Sequence, residues 1–215
     1  MKKRLINVTL LFMCFALIFS TTEAGAQERA SEQNQCSSQP AVKLKEDLRK
    51  LWIDHTVWTR NYYVSALAEL EDTDKVLARL LQNQEDLGNA IEPYYGEDAG
   101  NKLTELLREH ILIAGNIVEA AKSGNQEDLK KFNTEWYKNA DNIAQFLSSA
   151  NPNWTNETLK ELLHMHLQLV TEGVVARIHK DWDADIIAFD KGEDHIIVMA
   201  DALTQGIIKQ FPDQF

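Results

Sequence analysis

From about Val42 onward the apolar residues recur every three to four positions, the period of an amphipathic α-helix. The clearest stretch is Leu51–Ala66, where Leu48, Leu51, Trp52, Trp58 and Tyr62 form one stripe with His55 at its centre. The pattern breaks at Glu71–Asp74, Pro93–Gly96, Ser123–Asn125 and Ala150–Asn153, all rich in turn or capping residues. Pro93 is expected to end the second helix, because proline cannot continue one. A last turn falls near Lys180–Asp183 or near Asp190–Gly192. The first is preferred, with Gly192 tolerated inside a helix at about 1 kcal/mol. No stretch shows the β-branched alternation of strands. The expectation is an all-α fold, an antiparallel six-helix bundle built from three αα-hairpins.

The odd member of each stripe is a histidine. His110 is flanked by Leu103, Leu106, Leu107, Ile113 and Ile117, and His166 by Leu159, Leu162, Leu163 and Leu169. An offset of 55 residues carries His55 onto His110 and Asp86 onto Asp141. His166 and Asp201 stand in a similar relation around the preferred last turn. Residues equidistant from a hairpin turn lie at equal height, since every helical residue rises about 1.5 Å. The pattern therefore points to a buried site of His55, His110 and His166 with Asp86, Asp141 and Asp201. Imidazoles and carboxylates converging from several helices suit a transition metal ion: zinc, iron or manganese. Two other readings stay open, a metal-free polar layer in which each ring is paired and three unrelated histidines.

The remaining candidates are weaker. His164, His179 and His195 are expected at the surface or on seams, and Trp52, Trp58, Trp136 and Tyr62 in the core. Tyr94 and Tyr95 are expected as an exposed aromatic contact. Arg60 and Arg79 are expected to pair with surface acids. The chain has no G-x-S-x-G elbow, P-loop, G-x-G-x-x-G or H-E-x-x-H motif, so whether it is an enzyme stays open.

The ends change the picture of where the protein acts. Lys2, Lys3 and Arg4, the apolar run Leu10–Phe19 and Ala24-Gly25-Ala26 read as a cleaved export signal over residues 1–26. The run is too short for a stable membrane span. Residues 27–40 read as a disordered polar leader, 41–211 as one helical domain and 212–215 as a tail. Losing the signal removes three positive charges and Glu23, taking the net charge from −11 to −13. Such an acidic protein is a poor partner for nucleic acid or anionic membrane. A small molecule or another protein is the remaining kind of ligand, and a monomer is expected. Cys36 is the one cysteine beyond the signal, which excludes an internal disulfide framework.

At HTVWTRNYYVSALAELEDTDKVLARLLQNQEDLGNAIEPYYG, LTELLREHILIAG and HMHLQL the chain resembles small exported proteins of Bacillus and related Firmicutes. That family often carries the names "glycosyltransferase" or "acetylglutamate kinase". The resemblance spans essentially all of 41–211 and implies export, a helical fold and a Gram-positive source. The names would imply transfer chemistry, yet the chain has neither a nucleotide-sugar α/β domain nor a kinase fold.

Overall fold

Ser38 opens the first helix: its hydroxyl accepts from the Ala41 amide at 3.3 Å. The structure is a computed structural model that describes residues 38–215, so the expected export signal and nearly all of the leader lie outside the described residues. Helix α1 spans Gln39–Ala68 and therefore begins inside the expected leader. Pro40 sits in its first turn, where a missing N–H is no loss.

Five more helices follow: α2 Thr73–Tyr95, α3 Glu97–Ser123, α4 Gln126–Ala150, α5 Asn156–Ile178 and α6 Trp182–Gln210. The fold is all-α, with no strand among the described residues. Asn125, Thr155 and Asp181 cap α4, α5 and α6 with side-chain oxygens. Gly124 closes α3 at φ 71°, in the left-handed region. The last turn falls before Trp182, and Gly192 is buried within α6. One expectation is corrected here, because Pro93 lies inside α2 and does not end it. Proline so close to the end forfeits one helical bond, while the Gly96 amide still reaches the Glu92 carbonyl at 2.8 Å. The helix stops at Gly96, where φ is 85°.

Each helix packs on its neighbours in the chain, and α1 also packs on α6. Helix α1 further touches α3 and α5. These contacts are compatible with three antiparallel hairpins. The α2–α3 approach depends on paired glycines. A Cβ on Gly88 would stand 2.6 Å from the Gly100 carbonyl oxygen, and one on Gly100 2.9 Å from that of Gly88.

The apolar interior forms two clusters. The larger contains Leu48, Trp52, Leu87, Ile143, Leu163 and Met199. The smaller contains Tyr62, Tyr63, Leu80, Ile111, Val118 and Val174. Trp52, Trp136 and Tyr62 are buried, as their stripes require. Tyr94 and Tyr95 are not the exposed contact expected of them. Tyr94 packs against Phe211 and Phe215 at 5.8 Å, and Tyr95 against Trp154 at 5.9 Å. The final residues, with a 3-10 turn over Pro212–Gln214, thus cover apolar surface. Among the described residues no helix is long and apolar enough to cross a membrane.

Candidate functional site

His55, His110 and His166 occupy inward positions on α1, α3 and α5 and are 2%, 3% and 3% exposed. They meet. The Nε2 atoms of His55 and His166 are 3.4 Å apart, with ring centroids at 5.3 Å. The His110 and His166 rings are stacked at 6.2 Å. Trp52 stands edge-on to His55 at 5.6 Å, and Trp136 leans on His110 at 5.1 Å. Burial is the main cause that lowers all three pKa values: His55 to about 3, His110 to about 4, and His166 well below its ordinary value. Mutual repulsion lowers His55 and His166 further. Near neutral pH the layer is therefore three uncharged imidazoles with ring nitrogens available as acceptors.

Amides from the following helices hold two of the rings. Asn139 Oδ1 lies 2.9 Å from His110 Nδ1. Its Nδ2 donates to the Leu106 carbonyl at 3.1 Å and to Glu109 Oε2 at 2.9 Å, which fixes the amide orientation. Nδ1 of His110 must then carry the proton, and its Nε2 keeps a free lone pair. Gln84 Nε2 lies 3.3 Å from His55 Nδ1, but its two hydrogens go to the Leu80 carbonyl at 2.7 Å and to Asn83 Oδ1 at 3.1 Å. His55 is therefore held more loosely than His110, with no bond that fixes which of its nitrogens carries the proton. Gln84 Oε1 is buried without a partner.

A second bond recurs at the same height. Asn83 donates to the Leu51 carbonyl at 3.0 Å, Asn139 to that of Leu106 at 3.1 Å, and His195 Nε2 to that of Leu162 at 2.8 Å. Each of these carbonyls lies four residues before a layer histidine, where the helix uses only one of its two lone pairs. The cross-helix donor takes the other.

The three aspartates do not join the histidines. Asp86 sits on a half-exposed seam beside Arg79 at 3.8 Å. Asp141 holds His164 and Lys160, each at 2.8 Å. Asp201 is gripped through both oxygens by Arg49 at 2.6 and 2.5 Å, with Lys45 at 3.5 Å. The reason is rotational. The actual partners Gln84 and Asn139 lie 29 residues after their histidines. Asp86 and Asp141 lie two residues further, a turn of about 200° that faces them away. His195 is also 29 residues after His166, so a spacing of 29 held the legible signal. It was obscured because glutamine, asparagine and histidine fill the position in turn. His195 is half-buried and bonded, contrary to the expected surface place, whereas His179 is exposed and His164 lies on a seam, as expected.

Sequence reasoning also missed a second buried polar group. Asp185, 1% exposed, accepts from Arg60 Nη2 at 2.7 Å, Arg177 Nη1 at 3.0 Å and the Tyr63 hydroxyl at 3.0 Å. Arg60 is thus an inward clamp between α1 and α6, and its expected surface pairing is corrected. Arg79 keeps to the periphery, beside Asp54 and over the Trp58 ring.

Among the described residues no group of three or more His, Cys, Asp or Glu side chains stands as a ready-made metal cage. No protein-family model, curated protein or solved structure matches the chain.

Proposed function

We propose that this is an exported six-helix protein of three repeated hairpins whose histidine layer binds a transition metal ion through His55, His110 and His166. The observation that carries the reading is the 3.4 Å separation of two Nε2 atoms on different helices. With metal–nitrogen bonds of about 2.0–2.1 Å, two ligands at the tetrahedral angle stand about 3.3–3.4 Å apart. The proton on His110 Nδ1 leaves its Nε2 free, and Asn139 is the kind of partner that orients a ligating imidazole. Zinc, iron and manganese remain the candidates. The aspartates drop out of the ligand set, and the reaction, if any, is not part of the reading.

Loading requires two adjustments. His110 must bring Nε2 toward the other pair. The His55 proton must also sit on Nδ1, which leaves Nε2 free for the metal.

A second reading is supported by the same 3.4 Å contact, which is also a hydrogen-bonding distance. With Nε2–H of His55 directed at His166, the layer is a closed metal-free hydrogen-bonded array, as in a structural interaction module. Elemental analysis of protein purified without chelator or affinity metal separates the two. Stoichiometric metal, absent from the His55→Ala/His110→Ala protein, is expected. No metal, with a melting temperature unmoved by added zinc, manganese or iron, would sink the metal reading and leave the structural one.

A further inference from the structure

One helical turn beyond the histidine layer, the interior is not filled. Thr59, Ala114 and Val170 each lie four residues after a layer histidine, and they line a cavity of about 370 Å³ between α1, α3, α4 and α5. That volume lies within the usual range of small-molecule sites. Its rim carries exposed Lys130 and Asn133. Among the described residues no Asp or Glu lines it.

Two polar groups on residues that line it have nothing to bond. Trp136 Nε1 and Thr59 Oγ1 are both buried without a partner, on residues 3% and 8% exposed. A buried helical threonine ordinarily donates to the carbonyl four residues back. Thr56 and Thr204 do so at 3.3 and 2.8 Å. Thr59 does not, although its carbonyl is within the same helix. An indole N–H only donates, and leaving it dry and unpaired is costly. The lining thus holds two unpaired donors just behind a largely apolar wall, and a ligand oxygen must part that wall to reach them.

We propose that this cavity binds an apolar molecule carrying one neutral hydrogen-bond acceptor, a ketone, aldehyde or alcohol, with the oxygen inward against Trp136 Nε1 and Thr59 Oγ1. A carboxylate is disfavoured in that position. The nearest lining cation, Lys130, is on the rim, so an anion held at the inner end would be buried without a counter-charge. A fatty acid entering tail-first would leave both donors unmet. The inference stands apart from metal binding, because the cavity and its donors are present whatever the histidines hold.

The test titrates the full chain with decan-2-one and with decanoate, read by calorimetry, with circular dichroism confirming the fold of every variant. Saturable binding of the ketone is expected, with decanoate at least about tenfold weaker, the loss set by leaving two donors unpaired. Thr59→Val and Trp136→Phe, which remove the donors and nearly keep the shape, should each weaken the ketone about 2- to 10-fold without affecting decanoate. Ala114→Phe, which fills the space, should abolish binding of both. No saturable ketone binding by the unsubstituted protein, or unchanged binding in folded Ala114→Phe protein, would overturn the site. Decanoate binding as tightly as the ketone, or ketone affinity indifferent to both donor variants, would overturn the assigned ligand class.

Discussion

Two of the polar groups buried in this bundle handle burial in different ways. Around Asp185 a carboxylate is surrounded by two guanidinium groups and a phenol, so charge and hydrogen bonds are largely answered within the cluster. The cluster ties α1, α5 and α6 together through three hydrogen bonds to one carboxylate, with Arg60 Nε left as its one unpaired donor. The histidine layer has no counter-charge. Burial keeps its rings neutral, two amides lie against them, and one amide oxygen is left unmet. A cluster whose charges are paired serves as a fastener. A neutral layer with ring nitrogens available, beside unfilled space, is where a ligand can gain most.

The contrast can be broken most sharply at the fastener. Asp185→Ala leaves two guanidinium groups without their carboxylate and should lower stability by about 3–5 kcal/mol in urea unfolding, as for one partner removed from a buried pair. His166→Leu in the metal-free protein should cost less than about 1.5 kcal/mol, because that ring's hydrogen-bonding contact is the long one to His55. Equal losses at the two positions would erase the distinction.

Acid should reverse the order. The layer histidines bind protons less readily folded than unfolded, since their pKa values fall from about 6.5 to about 3 at His55 and about 4 at His110. Their contribution to stability is therefore whole above about pH 6.5 and is lost as pH falls through the folded values. Metal-free protein should show a falling unfolding free energy from about pH 6 down to about pH 4, and His166→Leu should flatten that fall. An unchanged profile in the variant would mean that the ring is not buried neutral.

Asn139→Ala tests the amide support. It removes the acceptor for His110 Nδ1–H and the donor to the Leu106 carbonyl, at a cost of about 1–3 kcal/mol. It should also weaken metal binding about 10- to 100-fold, the usual effect of losing a partner that orients a ligand. Asp201→Asn should be the mildest change, no more than about 1 kcal/mol in stability, because its pairs with Arg49 and Lys45 are partly solvent-exposed. Metal content should not move. A loss of metal in Asp201→Asn would return the aspartate to the ligand set.

Much of this was legible along the chain. The all-α class, the placing of the breaks, and the inward direction of His55, His110 and His166 all follow from local rules of period and capping. Asp86, Asp141 and Asp201 were misjudged because height along a helix can be counted from a turn, whereas facing depends on a rotation of 100° per residue. An error of two residues in register moves a side chain by only about 3 Å in height but swings it to the opposite face.

By itself, then, the sequence determined which faces are apolar, where helices start and stop, and that three imidazoles each face inward. Those outcomes depend on residues within one or two turns of each other. Only the tertiary structure decided that Gln84, Asn139 and His195 meet the layer, that Arg60 and Arg177 close on Asp185, and that space remains between Thr59 and Trp136. Each of these depends on how helices distant in the chain are rotated and spaced against one another. That arrangement is set by the summed packing between helices, including backbone approaches such as that of Gly88 to Gly100, which no single stretch of sequence contains.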